Sequence, residues 1–105
     1  MPNQLERRRA RRYLFGGVAE VTASRSGEFL TASTREISRY GCFVETKTAL
    51  HSGEPVSLRI VYDGREFVVP GEVAYVLPHG MGVAFGAIPA SDQAVLEDWL
   101  AEITV

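Results

Sequence analysis

The sequence contains a single cysteine, Cys42, and only two histidines among its 105 residues. One cysteine excludes an intramolecular disulfide, so the composition favours a protein of a reducing compartment. The sequence has no apolar run close to the roughly 18 residues of a membrane span, and no apolar segment of signal-peptide length follows its first residues. We therefore expect a cytoplasmic protein that does not bind a membrane.

Residue patterns typical of catalytic and metal centres are missing as well. GxSxG, P-loop and HExxH patterns do not occur. His51 and His79 lie in separate turn-like segments, without the neighbours at ligand spacing that a metal site needs, and are expected at the surface. Cys42 lies in an apolar run, which favours a packed thiol over a nucleophile. The sequence accordingly predicts neither an enzyme nor a cofactor or metal site.

The composition predicts one folded domain whose charge is unevenly distributed. A hydrophobic fraction of 46% and a charged fraction of 23% are those of a globular chain rather than a disordered one. Five of the eleven basic residues lie between residues 7 and 12, so the segment from Tyr13 onward has six basic against twelve acidic residues, a difference of −6. We expect a flexible basic arm, residues 1–12, and an acidic body, residues 13–105.

Short apolar runs separated by turn signals predict a β-meander in the body. Segments around 15–23 and 29–38 flank the polar cluster 24–28, which suits a hairpin loop, and a third run begins at Gly41 and continues to Thr48. Residues 56–62 alternate apolar and polar side chains, and Asp63-Gly64 predicts the turn that follows. The alternation resumes through Leu77, with a predicted bulge, bend or edge position at residues 70–71. A glycine-rich strand over residues 81–88 is predicted to come last.

The pattern changes to a helical period after Pro89. Ser91 suits the helix cap, Asp92 suits the positive end of the helix, and apolar residues recur at helical spacing up to Ile103. We predict an all-β fold with one C-terminal helix at about 91–103, in which six antiparallel strands form a closed or nearly closed β-barrel, since closure removes exposed sheet edges. Trp99 is expected to pack the helix onto that barrel.

The arginines of the arm are the first candidate binding residues. Guanidinium groups form planar forks that match phosphate oxygens and the O6 and N7 atoms of guanine. One alternative is a solvated arm without a ligand, and another is non-specific binding to nucleic acid. The acidic body would repel a long polyanion, and aromatic residues are not interleaved with the arginines apart from Tyr13. A compact anion therefore suits the arm better than a long nucleic acid.

A second candidate lies at the junction of two predicted strands, in the segment Glu36-Ile37-Ser38-Arg39-Tyr40-Gly41. Such a junction is usually only a turn. If the segment is a binding site, Glu36 and Ser38 face one side of the β-surface at alternate positions, and Gly41 lets a flat ring approach the backbone. The presence of the arginines elsewhere in the chain favours this second interpretation.

Together these segments resemble the PilZ domain, a family of bacterial cyclic di-GMP receptors with an RxxxR motif, a later (D/N)xSxxG motif and a six-stranded barrel that ends in a helix. Arg8 and Arg12 match RxxxR, and Arg7 and Arg11 give a second register. Ser38 and Gly41 match the second motif, whose first position is Glu36 here instead of Asp or Asn. The stretches 71–76 and 81–85 are similar to the last two strands of the family.

The resemblance implies that Arg8 and Arg12 bind the phosphates and guanine faces of cyclic di-GMP, while Glu36, Ser38 and Gly41 hold a guanine on the barrel. Further guanidinium groups could take part, namely those of Arg7, Arg9, Arg11, Arg35 and Arg39. The arm is expected to close over the ligand and to signal to a downstream protein partner. The alternative that Glu36 leaves open is a PilZ-like adaptor that binds proteins but not the nucleotide.

Overall fold

The computed structural model describes residues 13–103, which form six strands and one helix. The predicted arm, residues 1–12, lies outside the described residues. The elements follow one another as β1 (Tyr13–Ala23), β2 (Phe29–Ile37), β3 (Gly41–Glu45), β4 (Pro55–Tyr62), β5 (Arg65–Leu77), β6 (Gly80–Phe85) and α1 (Ala90–Ile103).

The strands form a closed barrel in the order β1-β2-β3-β6-β5-β4, and every neighbouring pair is antiparallel. Closure comes from β1 and β4, which pair from Val18 opposite Val61 to Ala23 opposite Val56. The prediction of a six-stranded antiparallel barrel with one C-terminal helix is confirmed. Because the strands alternate in direction, the start of β1, the end of β2 and the start of β3 all lie at one end of the barrel, which we call the helix end.

Helix α1 covers the helix end through its aromatic side chain. Trp99 is only 1% exposed, and its ring centroid lies 5.3 Å from that of Phe15 and 5.6 Å from that of Tyr62. The helix is also tied to β5, because the Val68 amide donates a 2.8 Å hydrogen bond to the Asp92 carboxylate. The predicted packing of Trp99 is confirmed. With 14 residues, α1 is not long and apolar enough to cross a membrane.

The predicted helix cap and the predicted ends of two strands were wrong. The helix begins at Ala90, and the carbonyl of Pro89 accepts its first hydrogen bond from Gln93, so Pro89 and not Ser91 holds the cap position. Strand β3 ends at Glu45, opposite Gly80, the first residue of β6, and β6 ends at Phe85, opposite Gly71 of β5.

The proline in β5 causes no break in the ladder. Pro70 pairs with Ser57 in continuous register, and its carbonyl accepts a hydrogen bond from Gly86, just beyond the end of β6. The backbone N and O atoms of one strand residue point to the same side, so the nitrogen of Pro70 faces β6 and not β4. Strand β6 has already ended at this level, so no ladder hydrogen bond is lost through the missing N–H of Pro70. The register shift of β5 falls instead between Val73 and Tyr75.

The thiol of Cys42 belongs to the barrel core. Cys42 pairs with Ile37 on one side and Val83 on the other, and burial raises the pKa of its thiol to about 12 from an ordinary 9.0. The expectation of a packed thiol is confirmed. Both histidines are exposed, as predicted, and the residues 13–103 contain no cluster of three or more His, Cys, Asp or Glu residues that could hold a metal ion.

Replacing Trp99 by Ala is expected to lower the free energy of unfolding by about 3–5 kcal/mol, because the change opens a large cavity between the helix and the barrel. Urea denaturation followed by circular dichroism measures the loss. Phe29→Ala is the matched aromatic control, since Phe29 is 58% exposed, and it should cost less than about 1 kcal/mol. Equal losses in the two variants would contradict the assignment of Trp99 to the core.

The Cys42 thiol should make stability fall at high pH. The Cys42 thiol keeps its proton to a higher pH in the folded protein than in the unfolded chain. Its contribution to the free energy of unfolding is therefore complete below pH 9 and is lost as the pH rises towards 12. The free energy of unfolding of the wild type should therefore fall more steeply from pH 9 to 11 than that of Cys42→Ala. Parallel curves for the two proteins would show that the thiol does not contribute.

Candidate ligand-binding site

The turn between β2 and β3, which we call the Ser38–Gly41 turn, is built around the hydroxyl group of Ser38. This hydroxyl accepts a hydrogen bond from the Tyr40 amide at 3.1 Å and donates one to the Gly41 carbonyl at 3.4 Å. The Ser38 amide also donates to the Gly41 carbonyl, at 2.9 Å. Ser38 is 6% exposed, and its hydroxyl hydrogen bonds hold the turn in shape. Its contact with a ligand stays a prediction.

Glu36 lies on the outer surface of the barrel at its helix end. The next residue, Ile37, is fully buried in the core, and side chains alternate between the faces of a strand, so Glu36 points outward. It is half-buried and pairs with Leu14 of β1 and Phe43 of β3. The pairing of β2 with β3 shifts just before Glu36: Thr34 lies opposite Val44 and Glu36 opposite Phe43, so Arg35 is an extra residue of β2.

Glu36 belongs to a row of outward-facing residues that crosses five strands. The pairing register places Leu14, Glu36, Phe43, Gly82 and Tyr75 next to one another. Phe43 is buried but lies outside the core cluster, and its ring stacks with that of Tyr75 at 6.4 Å between centroids. The Tyr75 ring occupies the space that a side chain at position 82 would need. An aromatic surface therefore lies beside Glu36.

This aromatic surface is not predicted from the motifs of the sequence. Its signal was the pattern Gly80-Met81-Gly82, which leaves the outer face of β6 without side chains where Phe43 and Tyr75 pack. Recognising it would have required the pairing of β3 with β6 and of β6 with β5, which is set by tertiary structure.

Gly41 is needed for strand packing. A Cβ atom at this position would collide with the backbone carbonyl of Val83 in the neighbouring strand β6. The sequence predicts that a flat ring approaches the backbone at Gly41, whereas in the structure the backbone of β6 fills the side-chain position of Gly41. The glycine therefore allows β3 and β6 to approach each other next to the turn.

Arg39 connects the Ser38–Gly41 turn to helix α1. Its Nη1 atom lies 2.6 Å from Oε2 of Glu97, and the Gln93 side chain donates a 2.8 Å hydrogen bond to the same oxygen. A cavity of about 340 Å³ opens between the turn and the helix, lined by Arg39, Tyr40, Phe85, Gly86, Ile88 and Gln93. Arg35 on β2 lies 3.8 Å from Glu45 in a more distant ion pair.

The remaining candidate arginines, Arg7, Arg8, Arg9, Arg11 and Arg12, lie outside the described residues. The described chain starts at Tyr13, which pairs with Ile37, so the arm is attached to the barrel directly beside Glu36 and Ser38. The structure thus brings Glu36, Ser38, Arg39 and Gly41 together at the helix end.

Solved structures with the same fold support the architecture. The PilZ domain of CeSA from a cellulose-synthesizing bacterium has a TM-score of 0.74 at 17% identity, covering 91% of this chain and all of the other. The PilZ domain of YcgR from Escherichia coli with c-di-GMP has a TM-score of 0.75 at 12% identity, covering 93% and 92%. The PlzA protein of Borreliella burgdorferi in complex with c-di-GMP has a TM-score of 0.62 at 14% identity, covering 93% of this chain and 44% of the other.

A comparison with curated proteins found no significant match. The family model of the PilZ domain matches residues 6–102, which include the arginines of the arm, all six strands and nearly all of the helix. The match covers far more than half of the sequence. The resemblance seen in the motifs is thereby confirmed, and the chain belongs to the PilZ domain family.

Proposed function

We propose that this protein is a cyclic di-GMP receptor module and not an enzyme. The observation that carries the proposal is the pairing of Tyr13 with Ile37, which attaches the arginine arm beside the outward-facing Glu36. In this proposal the arm supplies cationic groups for the phosphates, and Glu36 supplies an acceptor for a base edge. PilZ domains are binding modules, and two of the compared structures contain c-di-GMP.

Glu36 has the chemistry needed to select guanine. An ionised carboxylate has only acceptors, and the two oxygens match the N1–H and N2–H donors of a guanine edge. Its position on the outer surface, half-buried beside Phe43, partly shields such hydrogen bonds from water. The carboxylate lies one methylene further from the backbone than that of an aspartate, so we expect weaker binding or a different pose of the base.

The aromatic surface beside Glu36 supports a planar ligand. Phe43 and Tyr75 are stacked with an interplanar angle of 28° in the row that contains Glu36. Phe43 is buried, so a base would stack on the half-buried ring of Tyr75, and stacking of a base on an aromatic ring contributes about 1–3 kcal/mol. A guanine whose edge is bound by Glu36 could therefore also contact an apolar surface.

The arm supplies the charge that the ligand requires. The body from Tyr13 onward has a net charge of −6 and would repel a dianion, whereas the five arginines provide guanidinium forks for its phosphates. In our proposal the arm folds against the barrel when cyclic di-GMP bridges the two, and a downstream protein partner recognises the new surface. We expect this to occur in the cytoplasm.

A second candidate function follows from the departure at Glu36. The protein could be a PilZ-fold adaptor that binds proteins without the nucleotide. The involvement of the Ser38 hydroxyl in turn hydrogen bonds and of Arg39 in the pair with Glu97 favours this alternative, because both side chains already have partners.

Isothermal titration calorimetry with cyclic di-GMP should give micromolar binding that is lost in the double variant Arg8→Ala/Arg12→Ala. Charge-assisted hydrogen bonds contribute about 1.5–3 kcal/mol each, so removal of two arginines should weaken binding at least about a hundredfold. The control is Arg25→Ala/Lys47→Ala, which removes the same charge from exposed positions at the opposite end of the barrel.

The absence of heat at high micromolar ligand, or equal affinity in the wild type and the arm variant, would contradict the receptor function. Steeply salt-dependent binding to random oligonucleotides that cyclic di-GMP cannot displace would indicate a nucleic-acid-binding protein instead.

Glu36→Asp is expected to keep or increase the affinity for cyclic di-GMP, because the shorter side chain restores the family's usual residue at this position. Glu36→Gln should weaken binding about tenfold or more, since an amide has one acceptor oxygen and no charge. Calorimetric titration of both variants checks this expectation. If Glu36→Asp and the wild type both fail to bind the nucleotide, the adaptor function is favoured.

A further inference from the structure

The contact between Arg39 and Glu97 joins the candidate site to helix α1 by side chains only. Arg39 lies inside the Ser38–Gly41 turn, and Glu97 lies one helical turn beyond Gln93 on α1. The guanidinium and the Gln93 amide both donate to the same carboxylate oxygen, at 2.6 Å and 2.8 Å. The guanidinium of Arg39 in the described site is therefore held by an internal anion, the Glu97 carboxylate.

The turn does not need this ion pair to keep its shape. The hydroxyl and amide of Ser38 form three hydrogen bonds within the turn, and the Tyr40 carbonyl accepts a hydrogen bond from the Phe85 amide at 2.8 Å. None of these bonds involves the Arg39 side chain. Loss of the pair with Glu97 should leave the backbone of the turn in place.

The ion pair is also easy to exchange for another anion. The side chains of Arg39 and Glu97 are 58% and 40% exposed, and exposed pairs of this kind contribute little to stability. The cavity of about 340 Å³ between the turn and the helix leaves space beside the guanidinium. A ligand phosphate could therefore replace the carboxylate at a small cost.

We propose that Glu97 lowers the affinity of the candidate site for its anionic ligand by competing for Arg39. The proposal rests on the proposed receptor function, and it names the residue that tunes the affinity of that site. Without ligand, Arg39 is bound to the helix. When a ligand phosphate takes the guanidinium, Glu97 and Gln93 lose their connection to the turn.

Competition of this kind is reciprocal: Glu97 weakens ligand binding, and a bound ligand weakens the contact of Arg39 with Glu97. Ligand binding therefore changes the surroundings of helix α1. Helix α1 has four acidic residues and no basic one, and Arg39 and Arg65 are the cations paired with it in the described chain. Release of Arg39 leaves Glu97 without its cation. The bound state then differs from the free state by one uncompensated negative charge on the outer side of the helix.

The test is a calorimetric titration of Glu97→Gln with cyclic di-GMP. We expect the affinity to rise about two- to fivefold, which corresponds to the energy of an exposed ion pair. The matched control is Asp98→Asn, which removes the same charge from the adjacent residue and breaks the 2.8 Å pair with Arg65 on β5. Its affinity should equal that of the wild type, and thermal melts should show that both variants are folded.

The same substitution in an Arg39→Ala background separates competition from long-range electrostatics. Glu97→Gln should change the affinity no further when Arg39 is absent. A rise that persists in this background, or that Asp98→Asn reproduces, would overturn the proposal, as would an unchanged or lower affinity in Glu97→Gln. Absence of binding in the wild type and in every variant would overturn the receptor function itself and this proposal with it.

Discussion

Strand β1 is hydrogen-bonded to β2 on one side and to β4 on the other, and the second pairing closes the barrel. Closure removes the two sheet edges that an open six-stranded sheet would expose. It also fixes the inner and outer faces of every strand, because a slip by one residue would move all buried side chains to the surface. The outward position of Glu36 and the inward position of Ile37 are consequences of this register.

At the helix end of the barrel, the pairing register also separates an apolar interior from a polar outer surface. Inside, Phe15, Tyr62 and Phe67 surround Trp99 and exclude water. Outside, only a few residues away along the same strands, Leu14 and Glu36 face the surface. In β1 every second residue from Phe15 to Ala23 is buried without interruption, whereas the register shift in β2 before Glu36 changes which face its residues occupy close to the end of the strand.

The fold could be predicted from the sequence because its signals are local. Alternation in residues 56–62, the turn at Asp63 and Gly64 and the helical period around Trp99 each depend on neighbours in the chain. The observed turn has positive φ at both Asp63 and Gly64, 51° and 74°, which is the geometry that this dipeptide favours. The cap of the helix was predicted incorrectly, because the Pro89 carbonyl took the position that composition assigned to Ser91.

The candidate site could be predicted only in part, because most of its contacts join residues distant in sequence. The motif located Glu36, Ser38 and Gly41, but could not show that Gly41 makes room for the Val83 carbonyl or that the Ser38 hydroxyl supports the turn. The pair between Arg39 and Glu97 spans 58 residues and depends on how α1 docks on the barrel. Residues that a motif assigns to a ligand thus have internal partners as well, and a ligand bound there would compete with those partners.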